Sequence, residues 1–245
     1  MLAPINVKVA QRRHPYALLP RGEGGAQRRM REAGMPARQP LQQVVGEQVE
    51  VFGEVLDAHV NLAVWQRRLP PATAAFATAL LAREEALAES RVLELAHSES
   101  PVELGDLLQR YGELPGHAAF IADVAWLVSA FACLLDAQRI GLRLRVLDKA
   151  MCPRFHVDHV PLRLITSYAG VGSQWLREGV MTRRRLGDPA AEPVDEARIE
   201  RAAAGHVLLA KGEKWIGNEG GGLIHRSPQL PAGARRLLLT LDWLT

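Results

Sequence analysis

Cysteines, aromatic side chains and long apolar runs are all scarce in this sequence. Two cysteines, Cys133 and Cys152, among 245 residues cannot form a framework of several disulfides, and the cytoplasm is the expected compartment. The first residues lack the continuous apolar core of a secretory signal, although an arginine-rich, acid-poor start also occurs in transit peptides. No stretch offers about 20 uninterrupted apolar residues, so no membrane span is expected. The nearest stretch, residues 118–135, contains Asp123 and is predicted to be a buried helix.

Positive charge is concentrated at the start of the chain. The net charge is +3, yet residues 1–40 hold eight Lys and Arg against two Glu, so the rest of the chain is net negative. These residues mix Gly, Pro, Arg and Gln with little apolar periodicity, which predicts an irregular basic arm. No interleaved aromatic side chains and no recognisable binding module accompany the arginines. Nucleic acid is therefore not an expected partner.

Residues 41–141 have the apolar spacing and the composition of helices. Apolar side chains recur at intervals of three and four from Val44 to Leu56, which predicts a helix on the surface of a core. Pro70 and Pro71 then interrupt the pattern. Further helices are predicted over residues 72–95, 102–111 and 117–138. With 48% hydrophobic residues, the chain can bury a sizeable core beneath them.

The period changes from helix to strand in the last part of the chain, residues 142–245. Residues 142–147 largely alternate apolar with polar side chains, and residues 160–168 place Leu164 on one face and Arg163 on the other. Three more strands are predicted over residues 207–210, 222–225 and 236–243. No helices long enough for parallel crossovers separate these strands, so an antiparallel barrel or jelly roll is expected. The predicted fold class is α+β, with the helical region packed on the barrel.

A His-x-Asp pair, His156 and Asp158, is the clearest sign of chemistry. In an extended segment both side chains lie on one face, because side chains alternate with period two. A further histidine, His225, would complete a site of two histidines and one carboxylate, the facial triad of non-haem Fe(II) oxygenases. The alternative is structural: a hydrogen-bonded pair at His156 and Asp158, and a turn histidine at His225.

Two arginines follow His225 and begin an apolar strand. Arg235 and Arg236 point to opposite faces of an extended segment, so only one of them can enter a barrel. An arginine near the metal could receive the distal carboxylate of a dicarboxylate in a bidentate pair. On the opposite reading it forms a surface ion pair.

The β-rich part resembles the 2-oxoglutarate- and Fe(II)-dependent dioxygenases, particularly the prolyl-hydroxylase-like group. The residues that carry the resemblance are Phe155 to Asp158, Arg163, Thr166, Tyr168, Gly205 to Leu209, His225 and Arg236 to Thr240. It implies a double-stranded β-helix, a cupin-like jelly roll, in which His156, Asp158 and His225 hold iron. It also implies that Arg236 binds the distal carboxylate of 2-oxoglutarate, with Tyr168 as a hydrogen-bond partner. The substrate would be a small molecule or a protein side chain.

A second resemblance covers more of the chain. The stretches Cys152 to Leu164 and Gly205 to Glu213, His225 to Pro228, and Asn61 to Arg67 in the helical region are similar to a bacterial family known as domain of unknown function 1826. That family is associated with zinc-responsive gene neighbourhoods, which implies a link to zinc homeostasis. Two further residues, Cys152 and His159, lie beside the His-x-Asp pair and make zinc a rival to iron. The alternative function is therefore a non-catalytic zinc-binding protein.

Overall fold

The computed structural model describes residues 40–83 and 86–244, and these form a mixed fold that is mostly sheet. The expected basic arm lies outside the described residues, apart from Pro40. The helices are α1 (Pro71–Ala82) and α2 (His117–Leu135). The strands are β1 (Gln42–Gly46), β2 (Val60–Trp65), β3 (Ala88–Glu94), β4 (Arg139–Leu147), β5 (Leu162–Ala169), β6 (Gln174–Leu176), β7 (Ile199–Arg201), β8 (Val207–Lys211), β9 (His225–Arg226) and β10 (Arg236–Trp243).

The strands form two sheets that face each other. The larger sheet has the order β1-β2-β8-β5-β10-β4-β3, and the smaller has the order β7-β6-β9. An antiparallel bridge between His156 and His225 adds the segment after β4 to the edge of the smaller sheet. From β4 onward the chain therefore passes repeatedly between the sheets, with one hairpin, β6 to β7, inside the smaller one. This is the winding of a jelly roll.

Alternation along β5 and β10 separates the two faces of the larger sheet. Leu164 and Leu239 belong to the core beneath the helices, whereas Ile165 and Leu238 belong to a second cluster between the sheets. Trp175 of β6 packs into that second cluster from the smaller sheet. The fold thus has three layers, which are helices, larger sheet and smaller sheet, and the space between the sheets is the interior of the jelly roll.

Helix α2 confirms the predicted buried helix, although it ends at Leu135. It is long and apolar enough to cross a membrane by length and composition alone, and about half of its most apolar window is buried in the fold (56%). Its one acidic residue, Asp123, is buried and binds the guanidinium of Arg67 through two hydrogen bonds of 2.7 and 2.8 Å. The hydroxyl of Tyr168 donates a third hydrogen bond to Asp123 at 2.6 Å.

The expected helical region is helical only in part. The predicted helix from residue 44 to 56 is strand β1 followed by a 3-10 helix, Val49–Leu56. The predicted helix over residues 72–95 stops at Ala82, and β3 occupies its second half. Residues 102–111 contain only a 3-10 turn, Gln109–Tyr111. Strands β1, β2 and β3 extend the larger sheet on both sides, so pairing with distant strands overrides the local helical composition.

Candidate metal centre

The structure brings His156, Asp158 and His225 together at the mouth of the jelly roll. The two histidines face each other across the isolated bridge, in which each backbone N–H donates to the other residue's carbonyl oxygen at 3.0 Å. Asp158 follows two residues after His156, so its side chain returns to the same face. One potential ligand atom from each of the three residues lies within 4.8 Å of the other two.

Both imidazoles present the same nitrogen to Asp158. Nε2 of His156 lies 3.6 Å from one carboxylate oxygen, and Nε2 of His225 lies 3.3 Å from the other. Nδ1 of His156 lies 3.0 Å from the carbonyl oxygen of Arg154, and Nδ1 of His225 lies 3.1 Å from that of Leu223. Because a carbonyl oxygen only accepts, Nδ1 of each ring is the donor in these two contacts, and Nε2 is the nitrogen that faces Asp158 and could bind a metal once deprotonated. This orientation by backbone carbonyls is typical of metal-binding histidines.

Asp158 is held in its ionised form by a chain of charges. Arg163 donates a hydrogen bond of 2.7 Å to Asp158 and is itself bound by Asp242 at 2.5 Å. Burial of Asp158 opposes its ionisation, but hydrogen bonds from His156 and His225 and the nearby charges outweigh burial, so its pKa is far below the ordinary value. The carboxylate is therefore available as a ligand at any physiological pH.

A cavity of about 100 Å³ opens beside the three residues, between the two sheets. Its wall includes Met151, Cys152, His156, Ile165, Ser173, His225, Ser227, Leu238 and Thr240, together with Arg143, Arg145, Arg163, Arg226 and Arg236. Neutral and apolar side chains from β5 and β10 thus form the floor, and arginines surround it. A cavity of this character attracts anions.

Arg236 is the most deeply buried cation of this cavity, with 2% of its surface exposed. Its two terminal nitrogens make only long hydrogen bonds of 3.4 Å, to the carbonyl oxygen of Val171 and the hydroxyl of Ser173, and its Nε is buried without a partner. Burial lowers its pKa to about 10, so the guanidinium remains charged at neutral pH. A buried charge without a carboxylate is costly, which indicates that an anion belongs beside it.

Two of the predicted site residues, Tyr168 and His159, lie outside the cavity. The predicted cosubstrate role of Tyr168 is corrected: its side chain points to the helix side of the larger sheet, where it packs on Phe120 and binds Asp123. The exposed His159 lies outside the cluster, and Cys152 lines the cavity without joining the three ligand atoms. The side chain of Arg235 reaches the carbonyl oxygen of Arg83 instead of the cavity.

Sequence reasoning missed several residues that support the site. Asp242 binds both Arg163 and Arg143, and Arg145 lines the cavity wall beside them. Asp242 stands six positions after Arg236 on the same strand, so even spacing alone could have placed both on one face. Ser173, which follows a turn, carried no such signal.

Comparison with protein-family models matches residues 46–242 to the family described as protein of unknown function, DUF1826. The chain belongs to the DUF1826 family. The expected family is thus confirmed. The matched region contains all of the residues that surround the cavity. No curated protein matches the chain.

Solved structures similar to this DUF1826 chain include several oxygenases. A rice dioxygenase for auxin oxidation is 12% identical over 84% of this chain and 83% of its own, with a TM-score of 0.43. A prolyl-4-hydroxylase from Pseudomonas putida is 15% identical over 79% and 96%, with a TM-score of 0.42. A third, the auxin-oxidising dioxygenase DAO1 of Arabidopsis thaliana in complex with 2-oxoglutarate, is 10% identical over 83% and 92%, with a TM-score of 0.41.

The donor set of the DUF1826 chain fits a divalent metal that prefers nitrogen and oxygen. Ligands bonded at about 2.1 Å to one metal lie roughly 3 to 3.5 Å apart, close to the two histidine-carboxylate distances. Two imidazoles and one carboxylate would hold such a metal and leave it positions for further ligands. Cys152 is not part of the cluster, so the set has no thiolate to favour zinc.

Proposed function

We propose that this DUF1826 chain is an Fe(II)- and 2-oxoglutarate-dependent oxygenase built on a double-stranded β-helix. The observation that carries the proposal is the buried guanidinium of Arg236, which has no carboxylate partner among the described residues and lines the same cavity as His156 and His225. A non-catalytic zinc site needs a metal-binding cluster but no unpaired cation beside it. A site that binds a dicarboxylate with one end on the metal needs the metal-binding cluster and also a cation for the other end.

Each residue has a separate task in this proposal. His156, Asp158 and His225 would hold the metal, and Arg163 would fix the carboxylate of Asp158 so that one oxygen faces the metal. Arg236 would bind the distal carboxylate of the cosubstrate in a charge-assisted pair, with Ser173 as a second donor. Ile165 and Leu238 exclude water from the floor of the cavity, which strengthens that pair. Bound Fe(II) and 2-oxoglutarate supply the oxidative chemistry, in which O₂ is used to hydroxylate a substrate.

The test is a titration of the anaerobic Fe(II) protein with 2-oxoglutarate. We expect a metal-to-ligand absorption band in the wild type and succinate formation on admission of air. The variant R236M should bind 2-oxoglutarate about 10- to 100-fold more weakly, because one or two charge-assisted hydrogen bonds are lost. The matched control is R235M, whose side chain lies outside the cavity, and it should bind as the wild type does.

The zinc alternative makes the opposite forecast for the same titration. If the wild type gives neither an absorption band nor succinate, the oxygenase proposal fails. Retention of full 2-oxoglutarate affinity in R236M would mean that Arg236 does not bind the distal carboxylate of 2-oxoglutarate. Metal analysis of protein purified without added metal separates iron from zinc directly.

A further inference from the structure

Five arginines line the cavity, and the carboxylates around it satisfy only three of them. Arg143 and Arg163 share Asp242, and Arg226 binds Glu192 at 2.9 Å. Among the described residues, Arg145 and Arg236 have no carboxylate partner. The proposed function assigns Arg236 to the cosubstrate, and it assigns no anion to Arg145.

Arg145 faces into the cavity but has no good acceptor there. Its Nε is buried without a hydrogen-bond partner, and its Nη1 meets only the sulfur of Met151 at 3.8 Å, which is a weak acceptor. In the register of β4 with β10, Arg145 lies opposite Leu238, and Arg236 lies opposite Leu147. The two unpaired arginines are therefore diagonal neighbours on one face, with Cβ atoms roughly 7 Å apart. The proposed function assigns an anion to Arg236 and none to Arg145.

The neighbouring strand, β3, leaves space beside Arg145 for the body of a bound ligand. Ala88 of β3 pairs with Arg145, and Ser90 pairs with Arg143. Both β3 residues are exposed, and their short side chains continue the cavity face of the sheet outward as a shallow ledge. Val92, which is 56% exposed, continues the same row. A ligand bound at Arg145 thus has room for a body above the ledge while its near end points toward the metal site.

We infer that the substrate of this site is a small molecule with a carboxylate or phosphate group, and that Arg145 binds this group. The inference rests on the proposed function, since it assigns Arg236 to the cosubstrate. Arg145 lies on the wall formed by β4, on the side of the cavity that opens to the ledge. Anchoring the anionic group there would leave one end of the molecule facing the metal residues and its body above the ledge. Neutral and cationic compounds would lack this anchor.

The experiment measures anion binding by isothermal titration with two aromatic probes of different anionic groups. Phenyl phosphate and benzoate are titrated into the full-length chain, first metal-free and then loaded anaerobically with Fe(II) and saturating 2-oxoglutarate. Benzyl alcohol serves as the neutral probe. The variants are R145M, R145K, R236M and the matched control R139M. Arg139 begins the same strand, but it lies outside the cavity and pairs with Glu94.

The expected result is a loss that is specific to Arg145. At least one anionic probe should bind about 10- to 100-fold more weakly to R145M than to the wild type and R139M, as expected for the loss of charge-assisted hydrogen bonds. The conservative variant R145K should retain part of the affinity. Binding should persist in R236M, benzyl alcohol should not bind, and R145M should keep wild-type affinity for 2-oxoglutarate. The better of the two probes identifies the anionic group.

Other outcomes overturn the inference or separate it from the proposed function. Equal anion affinity of R145M and wild type, or no anion binding by the wild type, overturns the inference and leaves the oxygenase proposal standing. If R145M loses 2-oxoglutarate binding while R236M keeps it, Arg145 is the cosubstrate residue and the inference is wrong. If the wild type binds no 2-oxoglutarate but anion binding depends on Arg145, the oxygenase proposal fails and the anion site remains.

Discussion

Asp242 is the residue that connects the larger sheet to the candidate metal site. Its carboxylate is 2% exposed and accepts hydrogen bonds from Arg143 and from Arg163, which in turn reaches Asp158. Each charge in this chain is compensated by the next. Removing the carboxylate of Asp242 would therefore leave Arg143 without a carboxylate and Arg163 with Asp158 alone.

We expect D242N to weaken both metal binding and the fold. Loss of one partner of a buried pair lowers the free energy of unfolding by about 3 kcal/mol, and loss of support behind a metal ligand lowers metal affinity about tenfold or more. Urea unfolding and metal titration measure the two effects. The control is E94Q, which changes an exposed carboxylate that pairs with Arg139. Unchanged metal affinity in D242N would show that Arg163 positions Asp158 without the hydrogen bonds from Arg163 to Asp242.

The variant Y168F tests whether Tyr168 belongs to the core beneath the helices or to the predicted cosubstrate site. Y168F removes the hydrogen bond to Asp123, so we expect the free energy of unfolding to fall by about 1 kcal/mol. The affinity for 2-oxoglutarate should stay unchanged, because the side chain lies on the opposite face of the sheet from the cavity. A variant that unfolds like the wild type but binds 2-oxoglutarate weakly would restore the original assignment.

At the scale of single strands, the alternation of side chains along β5 also predicts the face on which Tyr168 lies. The same even spacing that puts Leu162 and Leu164 under the helices also puts Tyr168 there, opposite to Arg163 and Ile165. The sequence could therefore have excluded Tyr168 from the cavity. By contrast, the choice of Arg236 over Arg235 agrees with the face that lines the cavity.

Helix prediction failed where strands find their partners far along the chain. Strand β3 alternates exposed with half-buried side chains and pairs with β4, yet its Ala, Leu and Glu content resembles the helix before it. Strand β1 is short, and its pairing with β2 is parallel, a contact that no local pattern shows. The missing acceptor for Arg145 is likewise visible only after the strands are in register.

A loop glycine fixes the backbone that carries Asp158. A Cβ at Gly212 would lie 2.1 Å from the carbonyl oxygen of Val160 and 2.6 Å from that of Asp158, and the next residue, Glu213, donates its N–H to Asp158 at 2.9 Å. Only glycine allows so close an approach of two loops.

We expect G212A to push the Asp158 loop away from the histidines. Metal affinity should fall about tenfold or more, and the free energy of unfolding should fall by about 1 to 3 kcal/mol. The control is G53A, since a Cβ at Gly53 meets nothing within 4 Å. Metal titration and urea unfolding of both variants decide the point. Equal metal affinity in G212A and wild type would mean that this contact does not position Asp158.

At the scale of the molecule, the candidate metal residues join parts of the chain that are distant in sequence. His156 and Asp158 precede β5, whereas His225 follows β8, and the bridge between the histidines pairs this segment with the smaller sheet. A ligand that binds all three residues in the folded state alone would stabilise the fold.

Metal removal should therefore lower the melting temperature. At a free metal concentration of about 100 times Kd, the bound metal adds about 2.7 kcal/mol to the free energy of unfolding, which corresponds to roughly 5 to 10 °C in a chain of this size. Scanning calorimetry with and without a chelator measures the shift. The variant H225A should show no such shift, while H97A, which changes an exposed histidine outside the cluster, should keep it. A shift of equal size in H225A would exclude His225 as a ligand.

Asp123 also has a role during synthesis, before it pairs with Arg67. Helix α2 leaves the ribosome as an apolar segment of 19 residues, and Asp123 is the single formal charge within it. A carboxylate near the middle of such a helix opposes entry into a bilayer by about 2.5 to 3.5 kcal/mol. In the folded chain the same carboxylate is neutralised by Arg67. One acidic residue thus discourages the newly made helix from entering lipid and later fixes it against the sheet.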